Sequence, residues 1–202
     1  MPNPLTDELA ASLRTLDQKL IGREDQSAKR VRLGIIAMLA QHGSEASFAW
    51  LRQSYDNEPD RRADLAIGLA LDPGNKNWSY LVSSLPIVDD ETGKEILEKL
   101  ATVRRRPKNP VHYRDTIELG HRLQGNGTAA ADLLAHWNGT DVNNAGDSWQ
   151  QQMNGWSRWY STEFPSAAPI ASFDTVQTGL DRVADREALI TTSSDDGGAF
   201  VR

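Results

Sequence analysis

The stretches VRLGIIAMLAQHGSEASFAWL (residues 31–51) and RADLAIGLALDPGNKNWSYLV (residues 62–82) align at an offset of 31 positions. The alignment pairs Gly43 with Gly74 and keeps the apolar residues in the same helical phase. A third copy, in residues 91–120, keeps this phase but has a longer loop. Because repeated helix pairs bury their apolar faces only by stacking on one another, the period predicts an α-solenoid.

Apolar residues recur at intervals of three and four along most of the chain, as on one face of a helix. The first such face is formed by Leu5, Leu9, Leu13, Leu16 and Leu20, and it predicts a helix over residues 6–21. No segment shows the sustained alternation of a strand. We therefore predict an all-α fold, in the form of a HEAT- or armadillo-like α-solenoid: a right-handed superhelix of antiparallel helix pairs. An irregular helical bundle would give the same periodicity and is the alternative.

Local signals predict where several helices begin and which faces they bury. The apolar face of residues 27–41 is so broad that it predicts burial on two sides. Asn57 resembles an N-cap followed by Pro59 in the first turn. Asp147 is predicted to cap a later helix, with Gln150 completing a capping box.

The same patterns divide the chain into three segments. Residues 1–123 are predicted to form the helical-repeat array. Residues 124–185 are predicted to form a closing helical segment of the same domain, which includes a Trp-rich helix and a final helix that begins near Phe173. Residues 186–202 are polar and Gly-rich, as is typical of a linker or tail. We expect the chain to be a piece of a longer protein.

The composition excludes several classes of protein. The chain has 202 residues, a net charge of -6 and no cysteine, so it has no disulfide, thiolate metal site or cysteine nucleophile of its own. The acidic balance argues against non-specific binding of nucleic acid, which depends on Lys and Arg. The longest apolar stretch, residues 33–40, falls short of the roughly 20 residues that span a membrane. We therefore expect neither a nucleic-acid partner nor membrane insertion.

The negative charge belongs to the second half of the chain. Residues 1–109 carry 16 basic and 16 acidic side chains, whereas residues 110–202 carry 6 basic and 12 acidic ones. The asymmetry is typical either of a drift in composition within one domain or of surfaces with different partners. One hypothesis is therefore a docking surface for a haem-protein partner, formed by the acidic half and Trp159.

Two groups of polar residues are candidate sites. Glu118 and His121 have the Glu-x-x-His spacing of di-iron bundles, but the second copy of the motif is missing, so we predict a solvated pair and no metal. Arg104, Arg105 and Arg106 form a basic run at a predicted helix end, where the helix dipole favours cations. A phosphate or acidic-partner site is the alternative for this run.

We predict no catalytic residue, since no HExxH, GxSxG or P-loop sequence occurs. The alternative is an enzyme or nucleic-acid-processing domain on a HEAT-like fold, with Glu118, His121 and the three arginines near one groove.

The predicted helix after residue 147 carries an aromatic face at helical spacing, formed by Trp149, Met153, Trp156 and Tyr160. Such a face is more often core than ligand cage. Trp159 lies off this face and next to Arg158. Because Trp and Arg are enriched in interaction hot spots, we predict that Trp159 and Arg158 belong to an interaction surface.

The stretch LLAHWNGTDVNNAGDSWQQQMNGWSRWYSTEFPSAAPI (residues 133–170) carries three motifs in order. They are a Leu-Leu-x-His-Trp-x-Gly run, a Trp-x₃-Met-x₂-Trp-x₂-Trp-Tyr helix and a Phe-Pro-x-Ala-x-Pro linker. The stretch resembles the region that closes the HEAT-like repeats in large multidomain proteins of planctomycetes and related bacteria, just before a c-type cytochrome module. The LGHRL run at residues 119–123 also resembles the last repeat helix of that family.

This resemblance implies an exported, periplasmic protein in which the helical segment is a spacer between a sugar- or lactone-type propeller and a haem module. The chain has no Cys-x-x-Cys-His sequence, so the resemblance assigns haem to the neighbouring module and no cofactor to this chain. Composition alone leaves the compartment open. We therefore expect a non-catalytic scaffold or protein-interaction segment, whose partners are another protein or adjacent domains of the parent chain.

Overall fold

In the computed structural model, which describes residues 6–74 and 76–171, every regular element is helical. The α-helices of these residues are α1 (Asp7–Lys19), α2 (Gln26–His42), α3 (Glu45–Asn57), α4 (Arg62–Leu69), α5 (Trp78–Ser84), α6 (Asp90–Ala101), α7 (Pro110–Leu123), α8 (Thr128–Asn138) and α9 (Trp149–Glu163). Two 3₁₀ turns, Pro59–Arg61 and Gln124–Asn126, precede α4 and α8. The predicted all-α fold is confirmed for this part of the chain.

Six of these helices begin at a side chain that accepts a backbone N–H from the first turn, which satisfies a donor that the helix itself leaves unpaired. These N-cap residues are Thr6, Asp25, Ser44, Asp89, Asn109 and Ser148. The predicted cap at Asn57 is wrong by one residue. Asn57 is the last residue of α3, and Glu58 precedes the turn that begins at Pro59.

The capping box of α9 is also one residue away from its predicted position. Gln151 N donates to Ser148 Oγ at 3.3 Å, and Ser148 N donates to Gln151 Oε1 at 2.7 Å. Asp147 instead accepts a hydrogen bond from Asn144 N in the preceding turn, at 2.9 Å. The pairs Asp147/Gln150 and Ser148/Gln151 have the same spacing. Because the Asp147 carboxylate is bonded within the turn before the helix, the second pair forms the capping box.

Helices pack against their neighbours in sequence and also against helices two positions away. α2 contacts α3 and α4, α6 contacts α7 and α8, and α7 contacts α9. The three aligned stretches fall on the successive pairs α2–α3, α4–α5 and α6–α7. Fully buried side chains from these helices and from α8 and α9 form the core, among them Leu39, Leu51, Leu65, Leu81, Leu97, Ile117, Leu133 and Trp156.

The apolar face predicted for α1 packs only in part: Leu13 is half-buried and packs beside Ala10, but other leucines of the face are exposed. Leu9 and Leu16 are 47% and 41% exposed, whereas Ala10 and Asp17 are fully buried. The small side chain of Ala10 packs with Ile35 in a cluster that joins α1 to α2. The first leucine of the predicted face, Leu5, lies outside the described residues.

The predicted burial of α2 between neighbours holds in part, since α2 packs against α1, α3 and α4. Ile35 and Leu39 are buried, but Val31, Leu33 and Met38 are each 43% exposed. α2 therefore buries part of its broad apolar surface, and the rest of that surface is exposed among the described residues.

Four charged side chains form an ionic cluster that joins α1, α2 and the turn before α4. Asp17 accepts two hydrogen bonds from Arg32, at 3.0 and 2.9 Å, and two from Arg61, at 3.2 and 3.3 Å. Glu58 accepts from both arginines, at 2.6 and 3.0 Å. Burial disfavours the Arg32 cation, but Asp17 and Glu58 outweigh that effect and raise the pKa of its guanidinium. The cluster therefore keeps a fully buried carboxylate paired on both sides.

The chain divides into two units, Met1–Pro169 and Ile170–Arg202. All the helices above belong to the first unit, and of the second the structure describes only Ile170 and Ala171. The predicted final helix near Phe173 and the predicted tail at residues 186–202 lie outside the described residues. Within the described part of the chain, no helix is long and apolar enough to cross a bilayer.

Candidate functional site

An apolar groove runs between α2 and α4 and reaches one residue of α6. Its volume is about 340 Å³. The described residues that line it are Leu33, Ile36, Ala37, Ala40, Gln41, Asp64, Ile67, Gly68, Leu71 and Glu95. Three of the large apolar side chains remain accessible, since Leu33 is 43%, Ile67 45% and Leu71 50% exposed. A contiguous apolar surface of this kind is typical of a contact site.

The charged residues among those lining this groove are both acidic. Asp64, on α4, is half-buried, and burial raises the pKa of its carboxyl despite the opposing charge of Arg61. Glu95, on α6, is exposed. A cation bound at this rim would favour the ionised form of Asp64, so the groove combines apolar contact with attraction for positive charge.

The three arginines of the basic run surround a second pocket. Arg104, Arg105 and Arg106 lie in the loop after α6, and the pocket is also lined by His136 and Trp137 of α8. Its volume is about 380 Å³. The run of arginines is visible in the sequence. No sequence pattern places His136 beside it, because His136 lies at least 30 residues away along the chain.

Glu118 and His121 do not line the arginine pocket. His121 Nε2 lies 3.2 Å from Ser157 Oγ of α9, and Glu118 Oε1 lies 3.8 Å from Arg114 Nε. Within residues 6–74 and 76–171, no group of three or more His, Asp or Glu side chains is placed to hold a metal ion. The enzyme alternative expects Glu118, His121 and the arginine run near one groove, but neither Glu118 nor His121 is among the residues that line the arginine pocket.

The aromatic face of α9 belongs to a larger cluster of rings centred on Tyr113 of α7. The ring centroid of Tyr113 lies 5.6 Å from that of Trp137, 5.4 Å from that of Trp159 and 5.6 Å from that of Phe164. Such spacings are typical of attractive aromatic pairs. Met153, Trp156 and Tyr160 of the predicted face are fully buried, as a core face should be.

Trp159 is half-buried in that cluster, where its ring lies 5.3 Å from Trp156 and 5.7 Å from Phe164. It is therefore more packed than its position off the predicted face suggests. Arg158 is exposed, and among the described residues it forms no ion pair. A role of these two residues in an interaction surface stays a prediction.

Comparisons with protein-family models, with curated proteins and with solved structures found no match for this chain.

Proposed function

We propose that this chain is a non-catalytic, HEAT-like helical-repeat segment that binds a basic amphipathic helix of a protein partner in the groove between α2 and α4. Stacking of α2 on α4, of α6 on α8 and of α7 on α9 supports a repeat array. The exported location and the role of spacer beside a haem module rest on the resemblance of residues 119–123 and 133–170 alone.

The observation that carries this proposal is the combination of exposed apolar side chains and acidic groups in the groove. Leu33 of α2 and Ile67 of α4, with Leu71 just after α4, offer exposed apolar side chains on both sides of the groove. Proteins that bind an amphipathic helix in a groove use apolar surfaces of this kind. Asp64 and Glu95 favour Lys or Arg beside the apolar face of the partner. An acidic or neutral helix would lose that attraction.

Three synthetic helical peptides with the same leucine face, flanked by Lys, Gln or Glu, test the proposal by fluorescence anisotropy with the whole chain. We expect the Lys peptide to bind most tightly and the Glu peptide most weakly, with the difference shrinking at high salt. Ile67→Asp should weaken binding of the Lys peptide about tenfold or more, because it places a charge in the apolar contact.

Ile87→Asp is the matched control, since Ile87 is 50% exposed and lies outside the groove. It should leave peptide binding unchanged. The proposal is wrong if no peptide binds, if the three peptides bind equally, or if Ile67→Asp and Ile87→Asp have the same effect.

A further inference from the structure

The loop between α6 and α7 places three consecutive arginines around one pocket. Arg104, Arg105 and Arg106 line it, together with His136 and Trp137 at the end of α8. This pocket is separate from the apolar groove, with which it shares no lining residue.

The helix dipole does not by itself account for these arginines. Two of the last four carbonyls of α6 already have partners, because Thr102 N and Val103 N donate to Lys99 O and Leu100 O at 3.1 Å each. Thr102 Oγ1 donates to Lys99 O as well, at 2.7 Å. The arginine side chains are therefore not needed to cap these carbonyls of α6.

Arg104 and Arg106 also differ from most of the other arginines among the described residues. Among the described residues, six arginines lie within 4.0 Å of a carboxylate: Arg23, Arg32, Arg52, Arg61, Arg114 and Arg122. Arg104 and Arg106 are exposed and have no carboxylate of the described residues within that distance. In a chain with a net charge of -6, Arg104 and Arg106 therefore bring positive charge to this pocket that no carboxylate of the described residues pairs with.

Two contacts hold the pocket in shape. His136 Nε2 lies 2.9 Å from Val103 O, and because a carbonyl only accepts, Nε2 carries the proton and joins α8 to the arginine loop. The Arg105 guanidinium lies over the ring of Trp78, with Cζ 4.6 Å from the ring centroid. These two contacts hold the arginine loop against α8 and α5.

We propose that this pocket binds the phosphate group of a small molecule. A guanidinium fork matches two phosphate oxygens, and a phosphate monoester carries about two negative charges, which suits neighbouring guanidinium groups better than a single carboxylate does. The pocket volume of about 380 Å³ exceeds what a phosphate group alone fills, so the rest of the molecule has room beside Trp137.

Isothermal titration calorimetry of the whole chain with pyrophosphate, inorganic phosphate and a nucleoside monophosphate tests this. We expect pyrophosphate and the monophosphate to bind, and the double variant Arg104→Gln/Arg106→Gln to weaken them about tenfold or more, since charge-assisted hydrogen bonds are lost. Arg104→Lys, which keeps the charge but removes the fork, should weaken binding several-fold.

Arg30→Gln is the matched control, because Arg30 is exposed, lies on α2 outside the pocket and forms no ion pair within the described residues. It should leave binding unchanged, with thermal unfolding confirming that every variant is folded. In two-dimensional NMR, pyrophosphate should shift the backbone amides of residues 102–106 and the indole N–H of Trp137.

The proposal is overturned if the double variant binds pyrophosphate as tightly as the natural chain does, or if Arg30→Gln weakens it equally. Binding of inorganic phosphate as tight as that of the monophosphate would identify free phosphate as the source of the group and would still support the site. Much tighter binding of duplex DNA, lost in the double variant, would assign the pocket to a nucleic-acid backbone and overturn the small-molecule proposal.

Discussion

Around Asp17 the N-terminal helices are joined by four charged side chains, whereas around Tyr113 the C-terminal helices are joined by aromatic rings. Leu9 and Leu16 of α1 are exposed, while the aromatic cluster includes a helix, α9, whose apolar face is mostly buried. The difference shows that the periodicity of apolar residues specifies packing where large rings fill the space. It predicts the packing of α1 only in part, since the buried Asp17 is bonded to Arg32 and Arg61 and the packed surface includes Ala10 and Leu13.

Asp17→Ala should have the largest effect on stability. It leaves Arg32 and Arg61 in a partly buried site with only Glu58 as a partner, which typically costs about 3–5 kcal/mol. Urea unfolding followed by circular dichroism measures the change. Asp7→Ala is the control on the same helix, because the Asp7 side chain is 91% exposed, and we expect a loss within about 1 kcal/mol. Equal losses for the two variants would contradict the importance of the buried cluster.

Gly120→Ala tests the close packing of the C-terminal helices. A Cβ at residue 120 of α7 would clash with the Met153 sulfur of α9 and lie 2.9 Å from Ala130 Cβ of α8. Overpacking of this kind typically costs about 1–3 kcal/mol. At Gly34 of α2 a Cβ meets nothing within 4 Å, so Gly34→Ala should stabilise the protein by about 0.5–1 kcal/mol. A stabilising Gly120→Ala would show that α7, α8 and α9 separate easily.

The aromatic cluster could be predicted in part, because Trp156 and Tyr160 follow each other at helical spacing within one segment. The ionic cluster could not, because Asp17 lies 15 positions before Arg32 and 44 before Arg61. Charged residues at such separations carry no periodic signal. Only the tertiary fold brings them together.

The candidate sites, too, could be predicted from the sequence only in part. The run of arginines is conspicuous in the sequence, but its neighbour His136 comes from a helix that the loop meets only in the folded chain. The groove was missed because Ile67 and Leu71 have the spacing of core residues. Exposure of an apolar residue depends on what packs beside it, and a single sequence does not supply that.

His112 should make stability depend on pH, with a smaller effect than the glycine substitution because its ring is half-buried. Burial lowers the pKa of His112 from 6.5, although the charge of Asp115 opposes the shift, and its position in the first turn of α7 also disfavours a cation. The unfolded chain then binds more protons than the folded one below about pH 6.5, so stability falls as the pH falls through that range. Urea unfolding at pH 7.5, 6.5 and 5.5 should show a smaller decline in His112→Gln, whereas identical declines would contradict the buried imidazole.

Leu9→Ala should have the smallest effect, and it tests the contrast between the two clusters most directly. The periodicity of the sequence places Leu9 on a buried face, where truncation of a leucine typically costs about 2–5 kcal/mol. In the structure its side chain is 47% exposed, so we expect a change within about 0.5 kcal/mol. Leu39→Ala is the matched truncation at a fully buried position and should show the larger loss. If Leu9→Ala costs as much as Leu39→Ala, the leucine face of α1 is covered in solution, and the buried charge of Asp17 does not alone decide how this helix packs.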